Sequence, residues 1–285
     1  VPYPQIFNDV NNQKAEVILY RPTGESGDFE KANFPIGVEG GKTSTCPTQN
    51  LMEAYDMKDG TPFVWNNQSN PYDNRDPRMK YTIVCNEMKW PVDPVEIWEG
   101  GTNGLPLQNA TTTGYYLKKY VNNTISFEAG STVTKKQHNW VLFRYGEILL
   151  NYAEAMINAF HDPNYKDAVY NMSAREAVNQ IRGRTNISLP GFPSDITEKD
   201  FVKRLKNERR VELAFEGHRF WDVRRWKELG QTANIYGVKI TKNNEVISYE
   251  KFLLETRAVT DNMYFYPIPN TERFKNPNLG QNPGW

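Results

Sequence analysis

Residues 207 to 226 read NERRVELAFEGHRFWDVRRW, and this segment restricts the fold more than any other part of the chain. It places four acids, five arginines and four large aromatic residues in twenty positions. In a helix, Glu208, Glu212 and Glu216 recur every four residues and share one stripe. Three stacked carboxylates could hold a metal or share a proton, so a catalytic stripe is one interpretation.

The second interpretation is a structural, ion-paired helix. Each acid has a cation nearby, and the pairs spaced three residues apart are Arg209 with Glu212, Glu216 with Arg219, and Asp222 with Arg225. Four interspersed aromatic residues leave no fully polar face, so the charges must be partly buried, and buried charges persist only when they are paired. We therefore expect Glu212 to be buried together with Arg209 or Arg210.

The pattern of the chain changes near residue 138. Before it, Gly, Pro, Asn and Thr are frequent and the apolar runs are short, which is typical of short strands and long loops. The runs are AEVILY at 15–20, YTIVC at 81–85 and TGYYLKKYV at 113–121. EAYDMKDG at 53–60 predicts one or two helical turns ending on Gly60. The sequence thus predicts a loop-rich region at 1–138 and an irregular tail at 231–285.

Residues 139–230 have helical periodicity. WVLFRYGEILLNYAEAMINAF predicts a helix over 140–160, and SAREAVNQIRGR predicts a second over 174–184 that begins with a capping box of Ser173 and Glu176. We expect these helices to pack as an antiparallel hairpin with Leu149 and Ile181 in the interface.

A third helix is predicted to begin after Thr197, a good N-cap residue, and to run to a break at Gly217. The predicted fold class is therefore mainly α, with long loops and a few short strands. A helical hairpin of this length is the unit of tetratricopeptide-like solenoids, although a single pair cannot bury its own faces.

Composition argues against several functions. The 34 basic residues balance 34 acidic ones, so nonspecific binding to nucleic acid is not expected. Two cysteines, Cys46 and Cys85, are too few for a disulfide scaffold or a four-ligand zinc site, and they could pair or stay free. We predict no cofactor, no metal and no enzymatic activity, because the three histidines accompany no catalytic motif.

The segment 207–226 resembles the signature near the C-terminus of the SusD/RagB family. Six further blocks, in the same order along the chain, are similar to family segments. They are PTQNLMEAYDMKDG at 47–60, NPYDNRDPRMKYTI at 70–83, TGYYLKKYV at 113–121, FRYGEILLNYAEAM at 143–156, AVNQIRGRTNISLP at 177–190 and YFYPIPNTERFKNPNLGQNPGW at 264–285. The resemblance covers the C-terminal half of a family member.

The resemblance implies a SusD-like fold and noncatalytic capture of an oligosaccharide or other nutrient at the outer-membrane surface. The partners would be a glycan and a SusC-like TonB-dependent transporter, and residues 1–138 would face both. It implies a cell-surface lipoprotein whose anchor and N-terminal half, which carries most of the tetratricopeptide-like helices, we expect to lie outside this chain. It also implies a structural core formed by Glu208, Arg209, Arg210, Glu212, Glu216, Gly217, Arg219, Trp221 and Asp222.

Loop aromatics are the predicted ligand contacts, because the apolar face of a sugar ring stacks on an aromatic ring. Arg21 to Cys46 is a long, Gly-rich segment that contains Phe29 and Phe34. Trp65, Trp90 and Trp98 lie in other predicted loops, and Arg21 is the accompanying polar candidate. For each ring, packing beneath a loop remains the alternative.

Two other functions stay open from the sequence. A helical-repeat scaffold could bind a protein or peptide partner in a groove lined by Asn, Lys and Arg. A glycan hydrolase would need two convergent carboxylates in a cleft, and no such pair stands out beyond the signature segment.

Overall fold

The fold joins a loop-rich region, crossed by small antiparallel sheets, to a group of packed helices. The computed structural model of the chain describes residues 2–8, 16–66, 70–128, 130 and 134–285. Within these ranges, strands form three two-stranded antiparallel sheets. The pairs are β1 (Val17–Ser26) with β4 (Lys136–Arg144), β2 (Ile83–Val84) with β3 (Tyr116–Leu117), and β5 (Asn234–Asn243) with β6 (Val246–Thr256).

Helices are short in the first half of the chain and longer in the second. They are α1 (Gln5–Asn8), α2 (Asp28–Asn33), α3 (Gln49–Met52), α4 (Pro77–Thr82), α5 (Tyr145–Phe160), α6 (Ala174–Arg182), α7 (Glu198–Glu212), α8 (Arg219–Arg225) and α9 (Asn270–Lys275). In the part of the chain that is described, no helix combines the length and the apolar character needed to span a membrane.

The predicted helical hairpin is present. The capping box of Ser173 and Glu176 starts α6, because the Ser173 hydroxyl accepts from the Glu176 amide and the Glu176 carboxylate accepts from the Ser173 amide. Leu149, near the start of α5, and Ile181, near the end of α6, are both buried in one apolar cluster. This placement agrees with the predicted interface. One hairpin does not by itself establish a tetratricopeptide-like repeat.

The start of the first long helix differs from the prediction. Residues 140–144 belong to β4, and the helix begins only at Tyr145. Tertiary pairing overrides the helical pattern, because β1 provides a ladder in which Tyr20 pairs with Val141 and Arg21 with Trp140. Arg21 therefore lies on an exposed strand, and the segment from Arg21 to Cys46, predicted to be a long loop, completes β1 and contains α2.

The third long helix starts as predicted and ends early. The Thr197 hydroxyl accepts from the Asp200 amide and caps α7, which ends at Glu212. A turn with positive φ at Phe215 (61°) and Gly217 (84°) separates it from α8. The break expected at Gly217 is confirmed, with the helix stopping one turn before it.

One predicted helix and one predicted irregular segment are wrong. The segment 53–60 is not helical; the helix precedes it as α3, capped by Thr48, and Gly60 closes a turn with φ 82°. The tail at 231–285 is not irregular throughout, because β5 and β6 form a long hairpin. Its turn places Asn244 at φ 54°, a conformation that asparagine tolerates.

The β5–β6 hairpin is held by burial of one face. Val238, Ile240 and Tyr249 enter the largest apolar cluster, which otherwise collects residues of the loop-rich region. Cys85 is buried in the same cluster and Cys46 is half-buried, and both are free thiols. The loop-rich region and the hairpin thus share a core.

Candidate functional site

The signature carboxylates lie in a buried charge network, defined as Glu208, Glu212 and Glu216 with their cationic partners. Glu212 is fully buried and accepts hydrogen bonds from Arg78 at 2.9 Å, Arg144 at 2.8 Å and Arg184 at 2.7 Å. The other pairs are Glu208–Arg78 (2.5 Å), Glu208–Arg182 (2.7 Å), Glu216–Lys119 (2.7 Å) and Glu216–Arg144 (2.7 Å). All six carboxylate oxygens are occupied by cations.

The network keeps these carboxylates ionised. Burial alone would raise the pKa of the Glu212 carboxyl, but the guanidinium groups of Arg184, Arg144 and Arg78 outweigh burial and hold its pKa well below the usual value. The pKa values of the Glu208 and Glu216 carboxyls are lowered by the same balance. Because every oxygen already accepts from a cation, the stripe offers neither a shared proton nor an open metal ligand. The structural interpretation of the segment is therefore supported.

Pairs between residues close in sequence account for few contacts of the network. Arg209 binds Asp222, with 2.9 Å between Nε and Oδ2, and not Glu212 as predicted. The predicted pair of Asp222 with Arg225 is confirmed at 2.9 Å. Glu212 and Arg209 are buried as expected, but Glu212 faces cations that arrive from distant segments.

The predicted pair of Glu216 with Arg219 is also wrong. The turn at Phe215 and Gly217 takes the chain out of α7, so the two side chains do not lie on one continuous helix. Glu216 points into the charge network, whereas Arg219 donates to Gln231 Oε1 at 2.8 Å. A helix-based spacing rule fails where the helix has ended.

The aromatic residues of the signature segment do not all enclose its charges. Trp221 is 60% exposed and Phe220 is 40% exposed. Their rings, 5.0 Å apart, contact each other and Tyr266, with the guanidinium of Arg224 3.5 Å from the centre of the Phe220 ring. Trp221 thus lies outside the buried network with which the sequence grouped it.

Two of the predicted ligand aromatics are buried. Phe34 is 1% exposed and Trp90 is 5% exposed, and both belong to the largest apolar cluster. A sugar cannot stack on a ring whose faces are covered, so these two predictions are corrected: long loops here fold back over a core. Phe29 is half-buried, with its ring edge-on to His138 and Trp140.

The remaining tryptophan candidates are partly accessible. Trp98 is half-buried, with Lys242 Nζ 4.4 Å from its ring centre. Trp65 is half-buried and packs against Phe63, with 6.4 Å between ring centres. Their roles, and that of Arg21, stay predictions. Asn67, beside Trp65 in sequence, lies outside the described residues.

Phe63 is fixed by Arg75. The Arg75 guanidinium lies 3.6 Å from the centre of the Phe63 ring and donates to the carbonyls of Pro71, Met52 and Tyr55 at 2.6 to 2.7 Å. One face of the guanidinium is thus covered by Phe63, and its two terminal nitrogens are used by backbone carbonyls. Arg75 positions the 62–66 loop, and Phe63 forms one wall of a cavity.

The cavity, called here the α7 cavity, has a volume of about 470 Å³ and lies between α7, the segment after α3, and the chain around α8. Its walls are Pro62 and Phe63 on the apolar side and side chains of α7 on the polar side. Its polar lining includes Asn207, whose amide donates to the Ala54 carbonyl at 2.7 Å. A pocket of this size and mixed lining is suited to one or two sugar rings.

Cations dominate the α7 cavity. The lining cations are Lys199, Lys203, Arg204, Lys206, Arg210 and Arg219, and the lining acids are Glu53, Asp56 and Glu228. Each acid is already engaged, and the closest pairs are Glu53 with Lys251 at 2.8 Å, Asp56 with Arg182 at 3.3 Å, and Glu228 with Lys206 at 2.6 Å. Among the described residues, the cavity cations without a salt bridge are Lys199, Lys203, Arg210 and Arg219.

Arg210 and Arg219 are the partly buried cations of this group. Among the residues that the structure describes, no carboxylate forms a salt bridge with either. Arg210 donates to the Asn50 carbonyl at 2.8 Å. Burial lowers the pKa of Arg210 to about 10, with the charge of Arg219 acting in the same direction, and burial also lowers the pKa of Arg219.

The cavity was not predicted, although part of its signal is present in the sequence. Lys199, Lys203, Lys206 and Arg210 follow each other at intervals of four, three and four residues, which is the spacing of one helix face. A basic stripe on a predicted helix is usually a solvated face. Only the fold shows that the Phe63 loop and α8 close it into a pocket.

Comparison with known proteins agrees with the fold. The model of the SusD family matches residues 6–285. Two SusD-like proteins of Formosa agariphila, P2 and P38, are 29% identical over 163 residues and 37% identical over 150 residues. These matches cover 55% and 50% of this chain but 28% and 24% of those proteins.

Solved structures show the same architecture. A SusD-like protein from Bacteroides fragilis has 26% identity and a TM-score of 0.80 over 99% of this chain and 57% of its own. A SusD-like carbohydrate binding protein from the same species has 24% identity and a TM-score of 0.77 over 98% of this chain and 57% of its own. The chain therefore spans just over half the length of these structures. From the match over nearly all its residues and the shared fold, the chain belongs to the SusD family.

Proposed function

We propose that the protein captures an oligosaccharide at the outer-membrane surface without altering it and delivers it to a SusC-like TonB-dependent transporter. Membership of the SusD family supports the binding role, and one structural relative is described as a carbohydrate binding protein. In this proposal the α5–α6 hairpin is a tetratricopeptide-like unit of a longer fold, and the protein is held at the membrane as a lipoprotein.

The α7 cavity is the observation that carries the proposal. It joins an apolar wall at Phe63, beside the Trp65 ring, to hydrogen-bonding groups of α7. Sugar rings need this combination, because their C–H faces stack on aromatic or apolar surfaces while their hydroxyls require polar partners.

The charges of the cavity support binding over hydrolysis. Asp56 is held by Arg182 and by Arg204, at 3.3 and 3.8 Å. Burial raises the pKa of Asp56, and Arg182 opposes the shift. A glycosidase needs one protonated acid and a second carboxylate that is free to attack or to activate water. Glu53 and Glu228 are both occupied by lysines.

A glycan screen on the protein tests the function. We expect retention of at least one class of oligosaccharide, with no release of new reducing ends during incubation. Binding to no glycan would overturn the proposal, and appearance of hydrolysis products would replace capture with catalysis. Co-purification with a TonB-dependent transporter, when both are expressed together, tests the delivery step.

Trp65→Ala tests whether the ring beside Phe63 also contacts the sugar. We expect sugar affinity to fall by about 1 to 3 kcal/mol, by analogy with other ring-stacking contacts, and the unfolding midpoint to change little, because the ring is only half-buried. Calorimetric titration and thermal unfolding measure the two effects.

Phe34→Ala is the matched control for that variant. Its ring is 1% exposed, so truncation should cost about 3 to 5 kcal/mol of stability and leave the affinity of the remaining folded protein unchanged. If Trp65→Ala behaved like Phe34→Ala, with lost stability and normal affinity, Trp65 would be a packing residue.

A further inference from the structure

We propose that the α7 cavity recognises an acidic oligosaccharide, with Arg210 and Arg219 binding a carboxylate or sulfate ester on the sugar. This inference rests on the proposed function and adds the chemical class of the ligand. Both anionic groups present oxygen atoms that a guanidinium binds with paired hydrogen bonds.

The other arginines near the signature segment have the carboxylate partners that Arg210 and Arg219 lack among the described residues. Arg78, Arg144 and Arg182 are each 1% exposed, and each binds carboxylates within 3.3 Å. Arg210 and Arg219 are partly buried at the edge of the same region, and within the described ranges neither has a carboxylate partner. Burial lowers the pKa of both guanidinium groups even though Glu53 acts on Arg210 and Glu228 and Asp222 act on Arg219, so these acids offset only part of the desolvation and an anion supplied by a ligand would be stabilised here.

The two arginines lie in the wall of one cavity. Both line the α7 cavity, and after burial the positive charge of Arg219 is the next cause that lowers the pKa of Arg210. An anion placed between them would relieve this repulsion as well as pair with both. Each already has one neutral acceptor, the Asn50 carbonyl and the Gln231 amide oxygen, which leaves further N–H groups for a ligand.

The surrounding charges strengthen the same preference. Lys199 and Lys203 line the cavity from the next turns of α7, and no ion pair is formed by either with any described residue. The chain as a whole has 34 basic and 34 acidic residues. The positive excess is therefore a local property of this cavity and not a consequence of a basic protein, and it would attract anionic ligands in preference to neutral ones.

Phe63 and Pro62 would contact the sugar ring of the ligand. They form the apolar wall of the cavity, opposite the cations of α7. A free inorganic anion would use the arginines and leave this wall empty. A sugar that carries an acidic group can use both.

Matched acidic and neutral oligosaccharides test the proposal. The probes are a tetramer of galacturonic acid with its methyl ester, and a sulfated galactan oligosaccharide with its desulfated form. We expect one acidic form to bind about tenfold more tightly or better than its neutral counterpart, in line with charge-assisted hydrogen bonds. The two pairs distinguish a uronate from a sulfate ester as the recognised group.

Variants connect the preference to the two arginines. In Arg210→Gln/Arg219→Gln we expect most of the preference for the acidic form to be lost, with only the weaker attraction of Lys199 and Lys203 remaining. Arg224→Gln is the control, because Arg224 lies on α8 but stacks on Phe220 outside the cavity. It should retain the full preference.

The outcomes separate this inference from the proposed function. Equal affinity of the wild type for acidic and neutral forms, or a preference that is undiminished in the double variant, overturns the inference and leaves glycan capture standing. Binding to no glycan in the wider screen removes both. A preference for one acidic form that is largely lost in the double variant and kept in Arg224→Gln supports both.

Discussion

Two faces of α7 carry the same kinds of residue and differ in what surrounds them. One face presents Glu208 and Glu212 to a buried charge network in which every carboxylate oxygen is occupied. The other presents Lys203 and Arg210 to an open cavity in which the nearby acids already have partners. A dense charge pattern therefore does not by itself define a role. Complete pairing indicates a structural core, whereas partly desolvated charges without a salt bridge indicate a ligand site.

The largest loss of stability should come from removing a carboxylate from the buried charge network. Glu212→Ala removes one acid from three arginines, and we expect the free energy of unfolding to fall by about 3 kcal/mol, because buried cations lose their counter-charge. Urea titration followed by circular dichroism measures the change. Glu245→Ala, an exposed position in the β5–β6 turn, is the control and should change stability by less than about 0.5 kcal/mol. A loss of similar size in both variants would refute the comparison.

A smaller loss of stability should follow from lowering the pH. The pKa values of the Glu208, Glu212 and Glu216 carboxyls are lower in the folded protein than their ordinary value of 4.5. The unfolded chain therefore takes up protons first, so the stability from these groups is complete above about pH 4.5 and is lost as pH falls through the folded-state pKa values.

Unfolding free energies at pH 6 and pH 3.5 measure this loss. Glu212→Gln should show a weaker pH dependence than the wild type, because it lacks the carboxyl with the strongly lowered pKa. The same slope in both proteins would mean that other carboxylates control acid unfolding.

The smallest effect on stability is expected at the open face. Arg210→Gln removes a partly buried cation that has no carboxylate partner among the described residues, so the free energy of unfolding without ligand should stay within about 1 kcal/mol of the wild type. The hydrogen bond to the Asn50 carbonyl can be replaced by the glutamine amide. A loss as large as that of Glu212→Ala would place Arg210 in the structural core and end the distinction between the two faces.

Local signals in the sequence predicted the helices well. The Ser173–Glu176 capping box, the Thr197 cap and the apolar faces meeting at Leu149 and Ile181 all depend on neighbours within a few residues. The pair of Asp222 with Arg225 was predictable for the same reason. These features need no knowledge of the rest of the fold.

Distant partners were not predictable in this way. Glu212 binds Arg78, 134 positions away, and Arg144, 68 positions away, and no spacing rule connects them. The burial of Phe34 and Trp90 depends on how loops cover a core, and β4 is set by its pairing with β1. The basic stripe of α7 was visible in sequence, but its closure into a cavity depends on Phe63 and α8.

The charge network also has a consequence for how the protein folds. Arg78 and Lys119 come from the loop-rich region, whereas Arg144 and Arg182 come from the helical region, and all four bind the acids of one segment. If either region detached, buried acids and cations would both lose their partners in an apolar interior, which is unfavourable. The two regions should therefore form a single cooperative unit, and its assembly must wait for contacts between residues more than a hundred positions apart.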